Sequence, residues 1–203
     1  MHEIVVLFPG YARWSREGKL RAGCSVTLIK GELNVVVDTG SPSQRQGLLD
    51  ALDRAGVRPA DVQYVVNSHG HLDHIGNNNL FPGATFVLDA DIARNDEYWI
   101  HDFGRGSLQL GTATGAGAIE VIRTPGHTDH DLTVMVKTDA GLVAIVGDLF
   151  EHEGDWLDHS WEEWSKDREL QQAHRDAVFA AADFIVPGHG PMFRVVREAA
   201  TVR

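Results

Sequence analysis

Short apolar runs, each bounded by turn-forming residues, recur through most of the chain. Their length and their richness in Val and Ile predict β-strands rather than helices. In the first half we expect strands at 4–8, 25–30, 33–38, 62–67 and 84–88. In the second half we expect strands at 118–123, 131–138, 141–146 and 183–186.

Apolar residues at helical spacing predict three helices. The first, 42–55, has Ser41 as its cap and Pro42 at its first position, which is a favourable start for a helix. A long helix is expected at 160–182 and a closing one at 191–200, where apolar positions repeat on one face.

Residues 89–116 follow neither period and end in a glycine-rich run, which predicts a long loop. On either side of it, strands and helices occur in a similar order. This order predicts two β-rich halves facing each other in one domain over 1–203, an α/β fold of the α+β type.

Composition narrows the classes of function. The chain has 203 residues, with 18 Lys and Arg against 29 Asp and Glu, and a formal net charge of −11. This acidity argues against sequence-independent adhesion to nucleic acid or an anionic membrane, although one local cationic site stays open. The longest apolar stretch, 177–182, has six residues, so we expect no membrane span.

The start of the chain lacks the basic and apolar regions of a signal peptide, and the single cysteine, Cys24, has no internal partner. Both features predict a cytoplasmic protein, in the cytosol or also in the nucleus. The unusual count is that of histidine, with 11 residues. Function is therefore to be sought among the histidines.

Four ligand-type side chains occur within the sequence SHGHLDH at residues 68–74. His69 and His71 are two residues apart, so in an extended segment their side chains point the same way and can converge on one cation. Asp73 and His74 are adjacent and would diverge, which suits a second cation beside the first. The spacing therefore favours a metal site over a polar loop with chance histidines.

Three further loops offer the same kinds of side chain. Pro-Gly-His motifs end at His127 and His189, and the strand 141–146 is followed by Gly147-Asp148. Proline restricts the backbone and glycine frees it, so one side chain can be presented from each strand end. Each motif alone is a weak signal, but together with the histidine loop they are strong.

In this order, the motifs resemble the metallo-β-lactamase superfamily across almost the whole chain. The resemblance implies an αββα sandwich with two divalent metal ions at one edge, between the halves. It implies one metal at His69, His71 and His127, the other at Asp73, His74 and His189, and Asp148 bridging both. Asp38, in the segment VVVDTG, matches the family's early aspartate, which supports the histidine loop from behind.

Two close cations can share a hydroxide that attacks a carbonyl carbon or a phosphorus. Asp73 is the predicted catalytic residue, since a ligand with a spare oxygen can orient that hydroxide and shuttle its proton. Zn²⁺ is the expected metal, and Fe and Mn suit the same ligands. The two cations outweigh the carboxylates of Asp73 and Asp148, so the site is compatible with a small anionic substrate or a phosphodiester.

Segments such as HGHLDHIGNNNLFPGA and ADFIVPGHGPMFRVVREA, and the acidic, Trp-rich tail after Asp148, narrow the resemblance. They resemble a compact, dimeric branch of the superfamily described as an endoribonuclease acting at the 3′ end of histone pre-mRNA. The resemblance thus implies a dinuclear metal-dependent hydrolase with a bridging hydroxide, RNA as its substrate, and a homodimer.

Two alternatives stay open: a small-molecule hydrolase acting on a thioester, lactone or phosphoester, and a metal-handling or ligand-binding protein without turnover. A tight pocket lined by residues 89–116 would favour a small substrate, whereas an open groove would favour RNA. The basic residues form only a modest cluster for holding RNA: Arg13, Arg16, Lys19 and Arg21.

Other residues carry weaker expectations. His101 and His130 are possible substrate contacts, and we expect His130 to be outside the first coordination shell. The tryptophans 156, 161 and 164 could stack on bases, but core or dimer contacts are favoured. A solvated turn is expected for the acidic side chains Glu151, Glu153, Asp155 and Asp158.

Overall fold

The computed structural model describes residues 2–111 and 117–197. The first sheet contains seven strands: β1 (Glu3–Phe8), β4 (Val26–Lys30), β5 (Val35–Val37), β6 (Tyr64–Asn67), β7 (Thr85–Leu88), β8 (Asp91–Arg94) and β9 (Glu97–Ile100). They are hydrogen-bonded in that order, so β1 and β9 form the two edges.

The second sheet contains six strands, also in sequence order: β10 (Leu108–Leu110), β11 (Ile119–Arg123), β12 (Leu132–Thr138), β13 (Gly141–Gly147), β14 (Phe184–Pro187) and β15 (Phe193–Arg194). A separate hairpin pairs β2 (Tyr11–Trp14) with β3 (Leu20–Gly23). The helices are α1 (Arg45–Arg54), α2 (Leu72–Ile75), α3 (Asp155–Asp158) and α4 (Arg168–Ala181).

The alternation of side chains along the strands builds four layers. In β4, for example, Ile29 faces the second sheet, whereas Leu28 packs in the cluster that contains Leu48 and Leu52 of α1. In β13, Ile145 belongs to the core between the sheets, and its neighbours pack with α4. Since successive side chains on a strand point to opposite faces, both sheets bury both faces. The expected αββα sandwich is confirmed.

Strand direction brings the predicted ligands to one edge. β5, β6 and β7 are parallel to one another. β12 is antiparallel to both β11 and β13, and β13 is parallel to β14, so β11, β13 and β14 run the same way. Five ligand-type side chains follow the carboxyl ends of these strands: Asp38, His69, His127, Asp148 and His189.

The loop expected over residues 89–116 is wrong for its first part. That part forms β8, β9 and β10 and a 3-10 turn, Phe103–Arg105, while residues 112–116 lie outside the described structure. The β8–β9 hairpin turns at Asn95, whose φ is +56°. Asn adopts that conformation more readily than most residues, so Asn95-Asp96 is a turn signal that the apolar periodicity does not contain.

Two other expectations also differ from the structure, and one hairpin is not predicted by the sequence pattern. The helix expected at 160–182 begins only at Arg168, where the Asp167 side chain accepts a hydrogen bond from Leu170 N. The expected helix at 191–200 contains β15 instead, and its residues 198–200 lie outside the described structure. The sequence pattern does not predict the β2–β3 hairpin.

Within the described residues, no helix has the length and apolarity needed to cross a membrane.

Candidate metal centre

Asp38 connects the first strand end to the histidine loop. It lies directly after β5 with φ +59°, and its Oδ1 accepts a hydrogen bond from Ser68 N at 2.7 Å. Its Oδ2 accepts from Ser68 Oγ and lies 2.8 Å from His74 Nδ1. A proton on His74 Nδ1 leaves Nε2 as the ligand atom, which is how carboxylates orient metal-binding histidines.

Four ligand-type atoms converge into a first cluster. His71 Nδ1 lies 2.8 Å from His69 Nε2 and 3.2 Å from His127 Nε2. Asp148 Oδ2 lies 3.6 Å from His69 Nε2 and 3.4 Å from His127 Nε2. His71 is exposed and the other three residues are buried, so the cluster sits just below the surface with one open side.

Asp73, His74 and His189 form a second cluster, in which one atom of each lies within 4.8 Å of the others. His189 Nε2 lies 3.9 Å from Asp73 Oδ2 and 3.3 Å from Asp148 Oδ2. His74 Nε2 lies 3.2 Å from Asp148 Oδ1. The carboxylate of Asp148 therefore contacts both clusters and lies between them.

Unsatisfied buried atoms indicate what these clusters are suited to hold. His74 Nε2 and Asp148 Oδ1 are buried and, although they lie 3.2 Å apart, neither forms a hydrogen bond of acceptable geometry with a described residue. Leaving such an atom unpaired costs about 1–3 kcal/mol. Imidazole nitrogen and carboxylate oxygen are ligands for Zn²⁺ and several other divalent cations, so the residues fit a metal ion at each cluster.

The pKa shifts of the imidazoles differ between the clusters. Burial and the charge of His74 lower the pKa of His69 well below its usual range, and burial lowers that of His127 to about 4. Burial by itself would lower the pKa of His74 and His189, but the neighbouring acidic groups, Asp148 foremost among them, together raise it above the usual range, to about 9 for His189. The same imidazoles outweigh burial at Asp148 and hold its pKa well below the usual range.

Glu151 is a further carboxylate beside the second cluster. Its Oε2 lies 3.9 Å from His189 Nε2, and burial together with the charge of Asp148 raises the pKa of Glu151 to about 8. The expected solvated turn is wrong here, because Glu151 and Asp155 are buried. Asp155 lies 2.7 Å from Arg175 of α4.

A cavity of about 470 Å³ opens over both clusters, and its floor is formed by residues of these clusters, Asp73 among them. The other lining residues belong to the β2–β3 hairpin and to the segment 151–164. A pocket wall formed by residues 89–116 would favour a small substrate, but no lining residue belongs to 89–111, the part of that segment that the structure describes. The β2–β3 hairpin forms this wall instead.

The two histidines considered as substrate contacts lie elsewhere. His130 Nδ1 is 2.9 Å from Asp89 Oδ2, and the His130 side chain is exposed and lines a separate cavity of about 870 Å³. His101 Nε2 lies 3.1 Å from the carbonyl oxygen of Gly106, and its ring packs edge-on against Phe103. Neither side chain lines the cavity over the two clusters of ligand-type residues.

The three tryptophans after Asp148 have different surroundings. Trp161 is buried, with the guanidinium of Arg175 4.6 Å from its ring centroid. Trp156 is half-exposed and lies against Phe179. Trp164 lines the cavity over the metal clusters.

Comparison with known proteins shows to which family the chain belongs. Residues 21–189 match the sequence profile described as "Metallo-beta-lactamase superfamily". The chain belongs to the metallo-β-lactamase superfamily. The resemblance seen in the sequence motifs is thereby confirmed, and the histidine and aspartate clusters are candidate metal sites of a hydrolase superfamily.

The similarity extends to named relatives. Proteins called "Metallo-beta-lactamase domain-containing protein 1" from Xenopus laevis and Homo sapiens are 45% and 39% identical to the chain. The matches cover 97% and 98% of the chain and 83% and 84% of those proteins. The narrower sequence resemblance, which pointed to this group of proteins, is thereby confirmed.

Two further comparisons concern more distant proteins. A crystal structure of a metallo-beta-lactamase-like protein from Thermotoga maritima superposes with a TM-score of 0.69 at 19% identity, covering 95% of this chain and 99% of that one. An N-acyl homoserine lactonase of Agrobacterium fabrum is 32% identical over 111 residues, 45% of this chain and 42% of that protein. The first comparison supports the fold. The second shows sequence similarity over less than half of the chain.

Proposed function

We propose that the protein uses two divalent metal ions to hydrolyse phosphodiester bonds of single-stranded RNA. The observation that carries the proposal is the convergence of seven ligand-type side chains into two clusters that meet at Asp148. The cavity over these clusters favours turnover over metal storage, because it gives a substrate access to both of them.

The first ion would be held by His69, His71 and His127, and the second by Asp73, His74 and His189, with Asp148 between them. Zn²⁺ is the proposed metal, because it favours imidazole-rich ligand sets. When bound, the ions supply Lewis acidity, which lowers the pKa of water and stabilises negative charge on the substrate.

Asp73 is proposed to position the attacking water and to accept its proton. Its side chain lines the cavity and is 23% exposed. A carboxylate has two oxygens, so one can face the second cluster while the other accepts a hydrogen bond from the water. A general base in such a position contributes about 10²- to 10⁴-fold to the rate.

Positive charge near the cavity supports an anionic substrate. The hairpin residues 11–23 include four cationic side chains and one acidic one, a net charge of +3 in a chain whose net charge is −11. Arg13 of this hairpin lines the cavity. Such a local field attracts phosphodiesters even when the rest of the surface is acidic, and the resemblance to an RNA-cleaving branch supports the same substrate.

Hydrolysis of a lactone is the second candidate function. It is favoured by the 32% identity over 111 residues to an N-acyl homoserine lactonase. Metal ions held by the same two clusters would supply the Lewis acidity that polarises a lactone carbonyl. The net charge of the hairpin distinguishes the candidates, because a neutral lactone gains little from a cationic hairpin beside the cavity.

The test is single-turnover cleavage of a labelled single-stranded RNA, with bound metal counted on the same sample. We expect two ions per chain, and we expect cleavage to stop when a chelator removes them. Asp73→Asn that still holds both ions should cleave at least about 100-fold more slowly, because the general base is lost. As a matched control, Asp53→Asn changes an exposed carboxylate of α1 and should cleave at the wild-type rate.

Each part of the proposal can be rejected separately. An inert sample that holds two ions would reject RNA, and hydrolysis of an N-acyl homoserine lactone by that sample would support the second candidate. Cleavage by Asp73→Asn at a rate close to that of the wild type would reject the role of Asp73 as general base.

A further inference from the structure

The rim of the cavity carries two tryptophans from distant parts of the chain. Trp14 ends β2, and Trp164 follows a 3-10 turn at Ser160–Glu163. Their ring centroids lie 6.4 Å apart, and the ring planes differ by 30°. Both residues line the same cavity as Asp73. An aromatic surface therefore lies beside the candidate catalytic centre.

Both rings are substantially exposed, Trp14 at 60% and Trp164 at 43%. Aromatic side chains gain much from burial, so a pair left exposed beside a cavity is typical of a binding surface. Trp164 is also held in place, because Trp161 in the preceding turn is buried next to Arg175.

The same hairpin places cations next to the aromatic surface. Arg13, adjacent to Trp14, lines the cavity and is the register partner of Arg21 across the hairpin. Successive side chains on a strand point to opposite faces, and the Arg13 guanidinium lies 4.9 Å from the Tyr11 ring centroid, so Arg13 and Arg21 are on the other face of the hairpin from Trp14. Their charge is therefore a local positive field beside the aromatic surface, and no acidic residue lies between Tyr11 and Trp14 on β2.

We propose that Trp14 and Trp164 form a stacking surface for a nucleobase of single-stranded RNA, beside a hairpin whose net positive charge attracts the phosphate backbone. This inference rests on the proposed function and specifies how its substrate would be held. A base stacked at the rim would place a neighbouring phosphodiester within the cavity. Trp14 and Trp164 are thus positioning residues, since they contact the substrate away from the bond that is broken.

Stacking on an aromatic ring tolerates all four bases, because each has a π-face. The surface is therefore expected to require a base without selecting which one. An oligomer of the same length and charge that lacks bases should bind more weakly, whereas a purely electrostatic site would bind both equally.

The test measures binding without cleavage. Protein carrying Asp73→Asn, reconstituted with metal and with its bound ions counted, would be titrated against labelled oligouridylate of about ten nucleotides and against an abasic oligomer of equal length. Trp14→Ala and Trp164→Ala should each weaken oligouridylate binding by about 5- to 150-fold, with little effect on the abasic oligomer. Trp14→Phe retains a ring and should lose less affinity than Trp14→Ala.

Trp99→Ala is the matched control, because Trp99 is exposed on the edge strand β9 and does not line this cavity. Its affinity should equal that of the parent protein, and circular dichroism would establish that each variant is folded. Equal binding of the two oligomers by the parent, or unchanged affinity in both folded alanine variants, would overturn the stacking surface.

The outcome is separable from that of the proposed function. Stacking-dependent binding without cleavage by the wild-type protein would reject RNA hydrolysis and keep the binding surface. Cleavage by the wild type together with unchanged affinity in both variants would keep RNA hydrolysis and reject the surface.

Discussion

A single buried carboxylate, that of Asp38, prepares the histidine loop for its ligands. It accepts hydrogen bonds from the backbone and hydroxyl of Ser68 and lies beside His74 Nδ1. These contacts hold the start of the loop against the end of β5 and direct His74 Nε2 toward Asp148. Residues that touch no metal can thus contribute to metal affinity through the orientation of a ligand.

His127 and His130 offer a direct comparison of two histidines three residues apart. His127→Ala should lower metal content, because it removes a buried ligand atom from the first cluster. His130→Ala should leave metal content unchanged, since the exposed His130 ring pairs with Asp89. Metal analysis of the two dialysed variants would decide, and loss of metal in His130→Ala alone would reverse the assignment.

The segment between Asp148 and α4 is held by a buried ion pair. Arg175 of α4 contacts Asp155 at 2.7 Å and donates to the carbonyl oxygen of Leu149 at 2.7 Å. Its guanidinium also lies 4.1 Å from the ring centroid of Phe150. Since Trp164 follows in the same segment, this pair supports one wall of the cavity.

Replacing Arg175 should destabilise the folded protein. Arg175→Met leaves the Asp155 carboxylate buried without its cation, and we expect the free energy of unfolding to fall by about 3–5 kcal/mol. Arg58→Met breaks the exposed pair with Asp61 and should change the free energy of unfolding by less than about 1 kcal/mol. Urea unfolding of both variants measures the difference, and equal small effects would show that the buried pair does not stabilise this segment.

For the molecule as a whole, the meeting of the two sheets gives the metal clusters different electrostatic surroundings. The first cluster contains imidazoles whose pKa values are lowered, to about 4 for His127. The second contains His74 and His189, whose pKa values are raised by Asp148, to about 9 for His189. Metal must displace a proton from a histidine that is protonated at the working pH.

Acidification should therefore release the ion of the second cluster first. Below about pH 9, His189 holds a proton that the metal must displace, so apparent affinity should fall by about tenfold per pH unit for each proton displaced. His127 is already neutral above about pH 4, so the first ion should stay bound. Metal content after dialysis against a chelator between pH 9 and pH 6 would test this order, and simultaneous loss of both ions would contradict it.

Much of the candidate site can be predicted from local sequence, because most of the ligands follow a recognisable strand end and Asp73 and His74 lie in the short helix next to one. The Pro-Gly-His motifs and the histidine loop can be read without knowing the fold, and they predict the type of chemistry. The β8–β9 hairpin is different, since its exposed positions leave no apolar periodicity and its turn depends on the conformation of Asn95. Propensity and periodicity are weak where a strand lies at the edge of a sheet.

The sequence by itself determined the strand-rich architecture, because that depends on local periodicity, and its motifs resembled the family that the comparison confirmed. It also predicted which side chains could bind metal, from the spacing of those motifs. Only the tertiary structure decided that Glu151 and Asp155 are buried and that the hairpin covers the clusters. It also decided that Trp14 lies against Trp164. Burial and contact between residues far apart in the chain arise when the two sheets pack, and no local pattern encodes them.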